Sequence, residues 1–168
     1  LAKNFGTTIS PWIVSMDALA PFKCPAPEQN PEPLRYLKSE GNRTYNIHLE
    51  VNLTPEGSDK MGTIVQSNFN YLYWDVHQQL AHHTATGCDV RTGDLMASGT
   101  ISGPAKKNRG SLLELTWRGE EPITLSSGET RKFLQDGDTV TLTGWCQGDG
   151  YRVGFGKCAG KILPAMEE

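Results

Sequence analysis

Tyr45-Asn46-Ile47-His48-Leu49-Glu50-Val51-Asn52-Leu53 is the stretch on which the fold turns. Tyr45, Ile47, Leu49, Val51 and Leu53 share one face of an extended chain; Asn46, His48, Glu50 and Asn52 share the other. Side chains alternate across a strand, so a period of two predicts a half-buried β-strand. His48 and Glu50 could hold a metal ion together, yet the polar residues around them make a solvent-facing surface the simpler reading.

Downstream, Ser67 predicts a helix N-cap, followed by Phe69, Leu72, Tyr73, Val76 and Leu80 at helical spacing and Gly87 as a stop. His77 falls on this helix, and His82 and His83 fall near its end, where they suit free carbonyls. Beyond it, Leu95–Ser98, Leu112–Trp117, Thr139–Trp145 and Tyr151–Cys158 read as short strands. Asp136-Gly137-Asp138 and Gly148-Asp149-Gly150 read as turns between them. Upstream, prolines 21, 25, 27, 31 and 33 exclude a helix or central strand and predict a long extended connection. These elements predict an α+β, β-rich fold, a sheet or roll with one main helix packed on it.

The 168 residues suffice for one domain with a substantial core. A net charge of −3 argues against a nucleic-acid partner, which normally meets a basic footprint. The densest basic run, Lys106-Lys107-Asn108-Arg109, reads as a solvated loop rather than a phosphate site. No apolar stretch approaches the ~20 residues that span a bilayer, and the opening residues carry no secretory leader, so a cytoplasmic protein without membrane contact is expected. The four cysteines, Cys24, Cys88, Cys146 and Cys158, form no C-x-x-C pair and are expected as free thiols.

Two glycine clusters invite different readings. Gly154-Phe155-Gly156-Lys157-Cys158-Ala159 fits G-x-G-x-x-A, but that motif needs a following helix and a distant acidic residue, and neither follows. Its glycines are read as permitting bulges in a strand. Gly99-Thr100-Ile101-Ser102-Gly103 instead places two small hydroxyl residues between glycines that let backbone approach a ligand. Such a turn suits a carboxylate or enolate oxygen, although a plain tight turn explains it equally well. In Leu112-Leu113-Glu114-Leu115-Thr116-Trp117, strict alternation sets Glu114 opposite Leu113, Leu115 and Trp117. A carboxylate on a core strand needs a partner or a chemical task; on an edge strand it would simply face solvent.

Several of these stretches resemble the fumarylacetoacetate hydrolase (fumarylacetoacetase) family. Gly93-Asp94-Leu95-Met96-Ala97-Ser98-Gly99-Thr100-Ile101-Ser102-Gly103-Pro104 looks like its signature loop. Gly148-Asp149-Gly150-Tyr151-Arg152-Val153-Gly154-Phe155-Gly156, Lys3-Asn4-Phe5-Gly6-Thr7-Thr8-Ile9-Ser10-Pro11-Trp12 and Tyr71-Leu72-Tyr73-Trp74 resemble it too. Smaller members of the superfamily carry Gly-Thr-Pro where this chain has Gly99-Thr100-Ile101, which favours the branch that cleaves fumarylacetoacetate.

The resemblance implies a mixed β-sandwich or roll in which residues 1–168 form the C-terminal part of one catalytic domain. It implies hydrolysis of a carbon–carbon bond in 4-fumarylacetoacetate, a small β-diketo acid, to fumarate and acetoacetate, the last step of tyrosine breakdown. By motif, Glu114 matches the carboxylate that orients a catalytic histidine, and Lys3 a catalytic ammonium beside a divalent cation, Mg2+ or Ca2+. Thr7 matches a metal-proximal position and Thr100 a substrate contact. The family's metal-holding carboxylates and catalytic histidine precede the Lys3 segment, so the chain alone is expected to be inactive, and the full-length protein a homodimer. A related acylpyruvate hydrolase or decarboxylase, or a non-catalytic binding domain on the same fold, are the alternatives.

Overall fold

The computed structural model describes residues 6–41 and 43–166. Along the chain run α1 (Met16–Leu19), β1 (Lys23–Cys24), β2 (Thr44–Tyr45), β3 (His48–Thr54), β4 (Gly62–Asn68), α2 (Val76–Thr84) and α3 (Leu112–Leu115). They are followed by β5 (Ile123–Thr124), β6 (Thr130–Arg131), β7 (Thr139–Gln147) and β8 (Arg152–Lys161). The main sheet has four antiparallel strands in the order β4-β3-β7-β8, while β1 pairs with β2 and β5 with β6. The chain is β-rich and α+β, with α2 the one helix among the described residues longer than a single turn.

The alternating stretch supplies β3, which lies inside the sheet: Val51 faces Val65 on β4 and Leu142 on β7. Two details depart from a single half-buried strand. The run is divided, because Tyr45 ends β2 and the N–H of Ile47 bonds back to the Tyr45 carbonyl at 3.0 Å before His48 begins β3. Asn52 is buried rather than solvent-facing; it accepts the Thr63 hydroxyl at 2.7 Å and donates to Glu50 at 3.0 Å. Those two bonds satisfy its amide on the face that alternation assigned to solvent.

The core lies on the side of the sheet covered by α1 and the 3-10 turn Ala20–Phe22. Leu19, Phe22, Tyr45, Ile47 and Cys146 cluster there, with Leu49, Phe69, Val153 and Phe155 packed against them. Burying each large apolar side chain contributes roughly 1.5–3 kcal/mol. Pro21 is the second residue of that 3-10 turn, a position that needs no N–H donor. Cys24, Cys88, Cys146 and Cys158 are free thiols, and burial pushes the Cys146 thiol above its ordinary range.

The main helix is shorter than its sequence pattern predicts. Ser67 lies in β4, where its hydroxyl bonds to the Ile101 carbonyl at 2.9 Å, and Phe69–Tyr71 form a 3-10 turn. The true N-cap is Asp75: its carboxylate accepts the N–H groups of His77 and Gln78, while the Gln78 amide accepts the Asp75 N–H. This reciprocal capping box satisfies donors that a lone serine leaves open. Gly87 follows the helix with φ +88°, as its role as a stop requires.

Leu95–Ser98 carries no regular structure, and Leu112–Leu115 is a turn of helix, not a strand. Leu and Glu are good helix formers without β-branching, so four such residues fold according to their cap, and Ser111 caps this turn. Thr139–Trp145 falls in β7 as expected, and Tyr151–Cys158 falls in β8 except for Tyr151, which precedes it. Pairing between those strands slips beyond Thr143, where Gly156 takes φ +74° in a bulge. The G-x-G-x-x-A run is therefore strand, and a side chain at 156 would collide with the Trp12 ring. No helix among the described residues is long and apolar enough to cross a membrane.

Candidate active site

The glycine-flanked turn is bound to the edge of the sheet by polar ties. Gly99 takes φ +78°, which turns the chain inward. The Ile101 carbonyl then accepts from Ser67 on β4, and the Gly103 N–H donates to the Asn108 carbonyl at 3.1 Å. Asn108, buried, donates from Nδ2 to the Gln66 carbonyl at 2.6 Å. A side chain at position 103 would strike the Tyr71 ring, so close approach explains this glycine.

Thr100 and Ile101 face a cavity of about 350 Å³ whose other walls include Leu49, Val65, Leu142 and Phe155. Ser10, Gly156 and Cys158 close a further side. The segment after Gly6 reaches this cavity along β8, where the Cys158 thiol donates to the Thr8 carbonyl at 3.3 Å and the Ser10 hydroxyl bonds to the Phe155 carbonyl. Thr7 itself is exposed and does not line it. Lys3 lies outside the described residues.

Glu114 sits in a neighbouring hollow of about 500 Å³, together with Ser102, Arg109, Trp117 and Arg118. Its Oε2 accepts the Ser102 hydroxyl at 2.6 Å and the Ser111 hydroxyl at 3.3 Å; its Oε1 takes no hydrogen bond from a described residue. Arg109 donates to the Glu114 carbonyl at 3.1 Å, not to the carboxylate, and its guanidinium stands 5.9 Å from the Trp117 ring centre. Trp117 and Arg118 both adopt left-handed backbone, φ 48° and 59°, which costs about 1–3 kcal/mol each. The bonds Arg118 N–H to Leu113 O and Glu121 N–H to Thr116 O, both 2.8 Å, hold that exit around the buried Thr116.

The structure thus joins the Thr100 turn to Glu114 through Ser102, but sets Thr100 and Glu114 in adjacent hollows rather than one. Three of the four histidines have partners of their own, while His77 lines a hollow with Ser98 and Gly99 beside the Thr100 turn. His48 stacks on Trp145 with ring centres 5.6 Å apart, and His77 lies in the first turn of α2. His82 bonds to the Tyr36 hydroxyl at 3.0 Å and His83 to the Cys88 thiol at 3.3 Å. Lys106 pairs with Glu121 at 2.7 Å and holds that carboxyl below its ordinary range, so the basic loop neutralises a surface acid. Among the described residues no group of three or more His, Cys, Asp or Glu is arranged to hold a metal ion. A hard cation needs six or more oxygens, and these residues do not fit one by themselves.

Ser111 escaped the sequence reading, and Arg109, read as part of a solvated basic loop, instead bonds to the Glu114 carbonyl and lines its hollow. The pattern Ser111-Leu112-Leu113-Glu114 is the S-x-x-E signature of a helix start and could have revealed both the cap and the helix. No local pattern announces Arg109.

Comparison with known proteins gives a consistent result. Residues 1–163 match the family described as fumarylacetoacetate (FAA) hydrolase C-terminal. The chain is 60% identical over 166 residues to a fumarylacetoacetase of Homo sapiens, covering 99% of this chain and 40% of that protein. It is 58% identical over 165 residues to one of Arabidopsis thaliana, covering 98% and 39%. It is 50% identical over 165 residues to one of Caenorhabditis elegans, again covering 98% and 39%. The chain therefore spans about 40% of the length of the curated relatives it matches.

Proposed function

This chain belongs to the fumarylacetoacetate hydrolase C-terminal family, and from that premise we propose that the complete protein hydrolyses 4-fumarylacetoacetate to fumarate and acetoacetate, the closing step of tyrosine breakdown. Relatives named fumarylacetoacetase, at 50% to 60% identity, support the substrate. The observation that carries the chemistry is at Glu114: one carboxylate oxygen is held by Ser102 and Ser111, and the other takes no hydrogen bond from a described residue.

Cleaving a carbon–carbon bond in a β-diketone requires water to attack a carbonyl and the adduct to expel an enolate. A base must take the proton from water, and donors must hold the oxyanion. In this proposal Glu114 accepts from a histidine in the remainder of the enzyme, fixing its tautomer and stabilising it once protonated. Thr100 contacts the substrate in the apolar cavity beside the sheet. Lys3 supplies an ammonium for the oxyanion, and Thr7 stands near a divalent cation, Mg2+ or Ca2+. The described residues furnish no ligand set for that cation, so its carboxylates are assigned to the part of the enzyme beyond this chain.

On the same basis residues 1–168 form the C-terminal part of one catalytic domain. The four-stranded sheet becomes part of a β-sandwich or roll once the rest of the domain covers it, and the complete enzyme is a cytoplasmic homodimer. The test is Glu114→Gln in the complete enzyme, assayed on fumarylacetoacetate and on acylpyruvates. A fall in kcat of about 10²–10⁴ with fumarylacetoacetate is expected, because the base loses its charged partner. An unchanged kcat would make Glu114 structural, and faster turnover of acylpyruvates would reassign the substrate.

A further inference from the structure

We propose that Ser102 is a positioning residue for the reaction, acting through Glu114, a role that rests on the assignment of Glu114 above. A serine hydroxyl has one proton to give and lone pairs to accept with. The Ser102 oxygen accepts the Gly110 N–H at 3.0 Å, so its proton goes to Glu114 Oε2, 2.6 Å away. That donor is itself fixed. Backbone at position 110 lies so close to the turn that a Cβ there would meet the Ile101 oxygen at 2.6 Å and the Thr100 methyl at 2.8 Å.

The Ile101 carbonyl is anchored in turn by Ser67 on β4, so an unbroken line of hydrogen bonds and contacts runs from the sheet through the turn to the carboxylate. Glu114 has three side-chain torsions and stands exposed on a single helical turn. Ser102 holds its Oε2 in one place, while Oε1 takes no hydrogen bond from a described residue. Ser102 lies two residues along the turn from Thr100. Ser102 thereby sets the carboxylate relative to the substrate contact.

The turn around Thr100 keeps its ties from Ser67 to Ile101 and from Gly103 to Asn108 when the Ser102 hydroxyl is removed, which separates this role from a structural one. In the complete enzyme, Ser102→Ala is expected to lower kcat about tenfold to a hundredfold, the worth of a hydrogen bond to a charged group, with KM unchanged. Ser102→Thr, which keeps the hydroxyl, restores most of the activity. Ser102→Cys, a weaker donor of similar size, falls between, and with Ser102→Thr it carries the test should the alanine variant fail to fold. Added to Glu114→Ala, Ser102→Ala leaves kcat where Glu114→Ala put it, since no carboxylate remains to be held. A rise in KM matching the loss in kcat, or an undiminished further loss in the Glu114→Ala background, overturns the positioning role. Collapse of kcat in Glu114→Ala with full activity in Ser102→Ala removes Ser102 alone; full activity in Glu114→Ala removes the Glu114 assignment and Ser102 with it.

Discussion

Asp138 and Glu114 are both carboxylates held by well-formed hydrogen bonds, and they are held in opposite ways. Asp138, fully buried at the entry to β7, receives Arg131 Nε and Nη2 at 3.0 Å each and the Gln135 N–H at 2.9 Å. Burial alone would raise its carboxyl. The Arg131 hydrogen bonds and charge, with the Gln135 N–H, outweigh burial and hold it below the ordinary range. Arg131 is pushed up by the same pairing against its own burial, and a third bond reaches Glu129 at 2.9 Å. Glu114 is exposed, and uncharged hydroxyls reach only one of its oxygens. A carboxylate with both oxygens occupied and its charge neutralised ties chain segments together. One that is positioned but not neutralised stays available to act on another group.

The contrast breaks most visibly at Asp138. Asp138→Ala leaves a buried guanidinium without its principal partner and is expected to cost roughly 3–5 kcal/mol, read as a lowered denaturation midpoint of the complete enzyme. Activity per folded molecule should persist, since no part of this pair lines the Thr100 or Glu114 hollows. Because the folded-state carboxyl lies below its unfolded value, the stabilisation is whole above the unfolded value, about pH 4, and drains away as pH falls through the lowered one. Asp138→Asn should flatten that acid slope. An unchanged slope would show that other carboxylates govern acid unfolding.

How legible each region was in the sequence follows from how local its interactions are. Tyr45–Leu53 announced β3 through its period of two, but Asn52 is buried against Thr63, eleven positions away on β4, which no local pattern encodes. Asp75 and Gln78, three apart, form a legible capping box, yet the apolar residues before them drew the helix too far upstream. Leu112–Trp117 has too few residues to separate periods of two and 3.6, and its folding followed Ser111. Resemblance identified Thr100 and Glu114 but not their separation into two hollows. The bond from Ser102 to Glu114 spans twelve positions, and that from Arg131 to Asp138 seven; nothing in a window of either residue encodes its partner.

A smaller effect tests whether the site side of the comparison depends on close backbone approach. Gly110→Ala sets a methyl 2.6 Å from the Ile101 oxygen, so the turn and the segment leading into α3 must separate. Overpacking of this kind costs about 1–3 kcal/mol. The Gly110 N–H should also leave Ser102, so kcat is expected to fall beyond what the lost stability explains. Equal stability and kcat to the parent would show that the turn yields without cost.

The smallest effect separates the two hydroxyls on Glu114. Ser111 serves twice: it caps α3 by accepting the Glu114 N–H at 3.4 Å, and it donates to Oε2 at 3.3 Å. Both contacts are long, and Ser102 reaches the same oxygen at 2.6 Å. Ser111→Ala should therefore cost about 1 kcal/mol, the ordinary worth of a serine cap, and Ser111→Asn should recover most of it. Its kcat should stay close to that of the parent, because Ser102 still fixes the carboxylate. A loss in Ser111→Ala as large as in Ser102→Ala would mean that the cap, and not the turn, orients Glu114; the positioning would then be local to α3 and independent of the Thr100 segment.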